Sequence, residues 1–255
     1  MSLYIQREGS GPALVFLHGW GMNSDIWEDI VPQLTQQHTV TLIDLPGHGR
    51  SELSQPDYAI EGLAEQLAEA VPQAAIWVGW SLGGLIALQI AAQYPGKVKA
   101  LLMVASSPRF VKAPGWPYGV EPMIFDKFAK GLAEDYRATL KRFAAIQALG
   151  SHNAKAEVRT LRERMLRHGE PHHKALQGGL RLLQQSDLRQ ELAECHCPVK
   201  LVLGSRDTLA PARVASHLKY PHLESTIIQG AAHAPFISHP DQFLTVLNEF
   251  TKRHV

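Results

Sequence analysis

Ser81 is the residue in this chain best placed to do chemistry. It lies in Gly79-Trp80-Ser81-Leu82-Gly83, between an apolar run from Ala75 to Val78 and a stretch of helical periodicity from Leu82 to Tyr94. A strand that turns at once into a helix makes side chains two before and two after the turn residue collide, and glycine at both places removes the collision. Such a turn strains the serine backbone, exposes the hydroxyl and puts the Leu82 amide at a helix N-terminus. A hydroxyl is a poor nucleophile until a base takes its proton, and that base needs a third group to hold it. The pattern therefore asks for a histidine and a carboxylate at the same end of neighbouring strands.

Ligands of open parallel sheets lie at the carboxyl ends of the strands. Asp207 follows the apolar run Val199 to Leu203, and His233 follows the strand that ends at Ile228. The chain order Ser81, Asp207, His233 is nucleophile, acid, base. Three rivals have other expected roles. Asp44 ends a strand but precedes the nucleophile and opens a Pro-Gly turn, so it reads as a loop brace. His18 reads as a brace between loops, and His239, just before Pro240, as structural. Attack builds charge on the former carbonyl oxygen, which pre-aimed donors must hold. One is the Leu82 amide; the Trp20 amide, in His18-Gly19-Trp20-Gly21 after the first buried strand, is the expected second, and the Trp20 indole also reads as wall packing.

The elements that must position these groups are strands at Ala13–Leu17, Val40–Ile43, Ala75–Val78, Val98–Ala105, Val199–Leu203 and Ser225–Ile228. Each is a short, near-continuous apolar run alternating with helical patterns, which means a parallel sheet covered on both faces. From Pro108 to about Leu183 the alternation stops. That stretch carries only helical patterns, at Met123–Leu149, Asn153–Arg167 and His172–Leu183. The expected class is α/β: residues 1–108 and 187–255 form the core, and 109–186 an inserted helical cap over the catalytic edge.

Composition is that of an ordinary α/β enzyme: 255 residues, 45% apolar, 19% charged, net charge +1. That balance makes no case for nucleic acid or a membrane surface, and no apolar run approaches the about 18 residues of a spanning helix. The N-terminus lacks a basic segment followed by an apolar one, so no secretory signal is expected. Cys195 and Cys197 are too close for an ordinary disulfide and suggest a reducing compartment, with the cytoplasm and a monomer as default expectations. Cys195-His196-Cys197, even with His172-His173, lacks the paired spacing of structural zinc. Neither a metal nor any other cofactor is called for.

The motifs LHGWG (17–21), DLPGHGRS (44–51), WVGWSLGG (77–84), VASSPRF (104–110) and AAHAPFISHP (231–240) make the chain resemble the α/β-hydrolase superfamily along its whole length. Trp80 inside the elbow, SSPRF and HAPFISHP narrow the resemblance to the carboxylesterases of biotin synthesis. It implies an α/β-hydrolase fold and hydrolysis of the methyl ester on a pimeloyl chain carried by acyl-carrier protein, giving the free acid and methanol. It also implies a substrate wall of Trp20, Ser81, Leu82, Phe143, Ala144, Ala145, Ile146, Gln147 and His233. The implied carrier-protein contact falls on Arg142, Lys155 and Arg159; a fourth position is Ala138 here, with Arg137 beside it.

The charge distribution bears on the same contact. Between Arg137 and Arg167 there are eight Lys/Arg and two acids, a local +6 in a chain of net +1. A basic face near the pocket would steer an acidic carrier; a solvated helix face is the plainer alternative. A short-chain carboxylesterase, a carbon–carbon-bond hydrolase and a ligand-binding receptor on the same scaffold remain open alternatives.

Overall fold

The computed structural model describes residues 2–54 and 57–255. Seven strands form one sheet: β1 (Ile5–Glu8), β2 (Ala13–Leu17), β3 (Thr39–Ile43), β4 (Ala75–Trp80), β5 (Val98–Val104), β6 (Val199–Gly204) and β7 (Leu223–Ile228), in the order β1-β3-β2-β4-β5-β6-β7. All pairs are parallel except β1 with β3, where Ile5 faces Ile43. Every residue of β4 and β6 is buried, as expected of central strands covered on both faces. β1 was not foreseen from the sequence. IQRE is a polar edge strand, half solvated, with no apolar run to announce it.

The helices are α1 (Val31–Leu34), α2 (Ile60–Ala70), α3 (Leu82–Gln93), α4 (Pro122–Glu134), α5 (Tyr136–Gln147), α6 (Ala154–Met165), α7 (His173–Gln185), α8 (Arg189–Ala193), α9 (Val214–His217), α10 (Pro235–Ser238) and α11 (Pro240–His254). α3 is buried at ten of its twelve positions, because it is apolar all round and lies between α2 and strands β4 and β5. Elsewhere in the core Trp27 packs on Phe236 with ring centres 4.2 Å apart, and Phe236 meets Trp80 edge-on at 5.2 Å. α10, which directly follows His233, is thereby tied to the strand that carries Ser81.

The single helix expected over Met123–Leu149 is two. Asp135 breaks it with an extended backbone (φ −151°), and its carboxylate accepts the Ala138 N–H at 3.0 Å as an N-cap. Apolar periodicity runs through the break, which is why pattern alone did not reveal it. Helices α4 to α7 lie between β5 and β6. The insertion closes where it opens: the Leu188 N–H donates to the Pro108 carbonyl at 2.9 Å, and Arg109 pairs with Asp187 at 2.6 Å.

Two loops below the cap are pinned by buried polar groups. Asp44 accepts N–H bonds from Ser24 (2.7 Å) and Arg50 (2.9 Å) and the Arg50 Nε–H at 2.8 Å. Burial opposes its charge, but Arg50, His18 and Ser24 outweigh that and hold the carboxyl at about 2. His18 Nε2 accepts the Leu45 N–H at 2.8 Å while Nδ1–H donates to the Gly19 carbonyl at 2.8 Å. His48 Nε2 accepts the Gly21 N–H at 3.3 Å, with Nδ1–H on the Pro46 carbonyl at 3.1 Å. In each ring one nitrogen must stay unprotonated to accept. Burial lowers both pKa values, that of His48 to about 3, with neighbouring His18 adding to the effect.

A histidine held neutral in the fold but free to protonate when unfolded makes stability fall as pH drops below about 6.5. For His48 that loss continues to about pH 3. Asp44 adds its own loss only lower, as pH falls through its folded value near 2. Urea unfolding should therefore show stability declining from pH 7 to pH 5, by up to about 1.4 kcal/mol per pH unit for each such histidine. His48→Gln should flatten that slope; a slope equal to the parent's would contradict the assignment of His48 as a buried neutral ring.

Candidate active site

β4 delivers the chain to Ser81 and α3 begins at the next residue. Ser81 has φ 54° and ψ −116°, a region that costs a non-glycine residue on the order of 1–3 kcal/mol. The surroundings hold it there: its N–H donates to the Val104 carbonyl at 2.9 Å, and the Ser106 hydroxyl donates to its carbonyl at 2.8 Å. A Cβ on Gly79 would lie 2.4 Å from the Gly83 oxygen; one on Gly83 would lie 2.5 Å from the Leu17 oxygen and 2.6 Å from that of His18. The start of α3 thus presses directly on the end of β2, and only glycine permits it.

Asp207 and His233 stand where β6 and β7 end. His233 Nε2 is 2.9 Å from the Ser81 hydroxyl, and His233 Nδ1 is 2.8 Å from Asp207 Oδ2. The other carboxylate oxygen accepts the N–H groups of Leu209 (2.8 Å) and Ala210 (3.0 Å). An ionised Asp207 can only accept, so Nδ1 carries the proton and Nε2 offers its lone pair to the hydroxyl. The Trp80 indole N–H donates to the His233 carbonyl at 2.7 Å, and the His233 N–H to the Gln147 carbonyl at 3.0 Å. Core and cap both fix the imidazole's residue. Ser81, His233 and Asp207 are all buried. The rivals are engaged elsewhere: Asp44 and His18 in the loop braces, and His239 Nδ1 with the Ser238 hydroxyl at 2.9 Å.

Among the described residues, neither the Trp20 nor the Leu82 backbone N–H has a hydrogen-bond partner. Both lie under the cap. A Cβ on Gly179 of α7 would come 2.8 Å from Trp20 Cδ1 and 3.1 Å from Leu82 Cδ2. The Trp20 indole N–H donates to the Leu176 carbonyl of α7 at 2.8 Å, and its ring meets Phe143 of α5 edge-on at 4.8 Å. Phe143, Ala144 and Gln147 are buried, and among the described residues neither side-chain polar atom of Gln147 has a partner. Five consecutive residues cannot share one wall of a helix that turns 100° per residue. Accordingly Ala145 is exposed, whereas Ile146 is half-buried and lines a cavity of about 200 Å³ with Phe128, Thr139 and Arg142.

The basic run of the cap divides. Arg142, Lys155 and Arg159 are exposed and, among the described residues, form no ion pair. Arg164, grouped with them by sequence, is buried and paired with Glu28 and Asp29 of the core. Charge counting does not distinguish an arginine that faces inward. Four supporting residues were also missed. Ser106 and Leu176 have no chemical spacing to mark them, whereas the Gly178-Gly179 pair inside a helical pattern was a legible sign of close approach.

The family model described as "Alpha/beta hydrolase family" matches residues 14–246. A protein of Xanthomonas campestris pv. campestris named pimeloyl-[acyl-carrier protein] methyl ester esterase is 44% identical over 250 residues, spanning 97% of this chain and 98% of that one. Relatives bearing the same name from Aeromonas hydrophila and Yersinia enterocolitica are 43% identical (98% of this chain, 99% of theirs) and 41% identical (98% of each). Among solved structures, an esterase from Exiguobacterium antarcticum matches with a TM-score of 0.88 at 23% identity, over 98% of this chain and 95% of that one, a likeness of fold.

The tight approach of α3 to β2 predicts that Gly83→Ala costs about 1–3 kcal/mol of stability, as an overpacked core site does. It should also lower ester turnover more than the loss of folded protein explains, because relief of the clash moves Leu82 and the loop after β2. Parallel urea unfolding and kcat measurements would check this; parent-like values of both would contradict the packing.

Proposed function

The chain belongs to the alpha/beta hydrolase family, and we propose that it is a serine carboxylesterase acting on the methyl ester of pimeloyl-[acyl-carrier protein] in biotin biosynthesis. The observation that carries this reading is the hydrogen-bonded line from Asp207 through His233 to Ser81, next to which the Leu82 N–H has no partner among the described residues.

In this mechanism Ser81 Oγ attacks the ester carbonyl carbon as its proton passes to His233 Nε2. Asp207 keeps the ring oriented and stabilises the imidazolium. The carbonyl oxygen gains the negative charge and takes the Trp20 and Leu82 N–H bonds, donors each worth about 10²–10³ in rate. Collapse of the tetrahedral species breaks the bond to methoxide, which leaves as methanol with the proton from Nε2. Water then attacks the acyl-enzyme with His233 as base, releasing the free acid and restoring Ser81. No step calls for a cofactor.

Phe143, Ala144, Ile146 and Gln147 of α5 bound the acyl side. Arg142, Lys155 and Arg159 are the proposed contacts for the acidic carrier, supported by their exposure and, among the described residues, the absence of an ion pair on any of them. We also place the protein in the cytoplasm, in keeping with free Cys195 and Cys197, whose sulfurs lie 3.5 Å apart. Among the described residues no helix is long and apolar enough to cross a membrane.

Ser81→Ala should abolish ester turnover with folding intact, and should fail to complement a biotin auxotroph that the parent rescues. Near-parent turnover by this variant would refute the mechanism. Arg142→Glu combined with Arg159→Glu should lower kcat/KM for carrier-linked ester relative to a free methyl ester by about tenfold or more, two charge reversals each costing on the order of 1 kcal/mol. An unchanged ratio would remove the carrier contact from these residues.

A further inference from the structure

We propose that Arg164 is a positioning residue for the reaction: through Asn23 it sets the loop that carries the Trp20 amide, so that the cap helps to build the oxyanion site. The inference rests on the reading of the Trp20 amide as an oxyanion donor.

Arg164 closes the last turn of α6 and is 6% exposed. Its guanidinium grips one short segment of the core. Nε donates to Glu28 at 3.0 Å, Nη2 to Asp29 at 2.6 Å and Nη1 to the Ile26 carbonyl at 3.1 Å. The grip is returned, because the Asn23 side-chain amide donates to the Arg164 carbonyl at 2.7 Å. Asn23 is 1% exposed, and its side-chain oxygen accepts the Asp25 N–H at 3.1 Å, capping the 3₁₀ turn Ser24–Trp27. A buried arginine makes three bonds to the segment 26–29, and that segment's cap residue binds the arginine's own backbone.

Asn23 lies three residues after Trp20, and the backbone bonds of the stretch between them are long. The Met22 N–H reaches the Gly19 carbonyl at 3.2 Å, and the Gly21 N–H reaches His48 at 3.3 Å, both long bonds. Gly21 itself has φ 72°, a conformation no side chain stiffens, and a Cβ there would meet Leu140 of α5 at 2.9 Å. At the other end the Trp20 indole hangs from Leu176 of α7. The loop is therefore suspended from the cap at Trp20 and at Asn23. Among the described residues the Trp20 N–H has no partner between those two cap contacts, while Asp44 holds Ser24, the residue after Asn23, from below.

Arg167 and His168 add bonds to Asp25, the former also to Glu28, but they are more exposed. Ion pairs open to water contribute little, and Glu28 and Asp29 are exposed partners; what sets Arg164 apart is its buried bond to the Ile26 carbonyl, beside the Asn23 bond to its own backbone. Arg164 is thus the member of this cluster through which the cap's seating reaches the loop.

The test uses the full chain, a small free ester that needs no carrier, and a fluorophosphonate to titrate reactive Ser81, so that kcat is expressed per titrated site. Arg164→Met and, should that variant fail to fold, Asn23→Ala with Arg164 intact are compared with the parent. Each should lower kcat per titrated site by roughly tenfold to a hundredfold, the scale of a displaced donor, with KM changed less. Each should also weaken inhibition by a trifluoromethyl ketone, whose adduct carries the oxyanion, by a similar factor. Arg164→Lys should recover part of both.

Unchanged kcat per titrated site would show that Arg164 only staples the cap, and would overturn the inference. So would a fall in kcat with unchanged affinity for the ketone. Failure of the parent to be titrated at Ser81 would refute the esterase mechanism itself, which separates the two failures.

Discussion

A buried carboxylate is tolerated only when its lone pairs are met, and much of this structure follows from how that is done for Asp207. One oxygen is held by two backbone N–H groups in the turn after β6, so the side chain does not rotate; the other is left to face the His233 ring. A carboxylate fixed in this way fixes the tautomer of the imidazole, which in turn aims a lone pair at Ser81. β6 and β7 must end at matched heights for this to work, and their register pairs Gly204 with Ile228 at the last step. The close approach continues beyond it: a Cβ on Gly204 would lie 2.1 Å from the Ala232 oxygen, so only glycine lets the two loops come together.

The cap is more than a cover. It contributes the Gln147 carbonyl that holds the His233 N–H, the Leu176 carbonyl that holds the Trp20 indole, and the Phe143 ring edge-on to Trp20. Four helices without a strand gain most of their stability from packing, and here they pack on Trp20 and His233. The cap and the residues around Ser81 are therefore held by shared contacts. Arg142, Lys155 and Arg159 lie exposed on the same cap.

Much of the catalytic edge was legible in the chain because parallel strands buried on both faces read as unbroken apolar runs. Residues immediately after such runs gather at one edge, which is how Ser81, Asp207 and His233 could be singled out although the first and last are 152 positions apart. Glycines 79 and 83 were legible for the same kind of reason: a steric demand leaves only one residue type. What the pattern hid is equally physical. β1 is polar because it is an edge. The break at Asp135 is made by one capping carboxylate inside an uninterrupted apolar periodicity. Arg164 is indistinguishable by type from solvated arginines around it, and only burial separates them. Ala145 was carried along with its neighbours by resemblance, whereas helical geometry turns it outward.

The central claim is that Ser81 itself forms a bond to the acyl group. Acid quenching of enzyme mixed with the methyl ester of pimeloyl-[acyl-carrier protein], within the first turnover, followed by denaturing mass spectrometry, tests it directly. The account predicts a covalent species whose mass is that of the enzyme plus the loaded carrier less methanol, with the link on the peptide that contains Ser81. Product formation at the parent rate with the acyl group on another residue would contradict it.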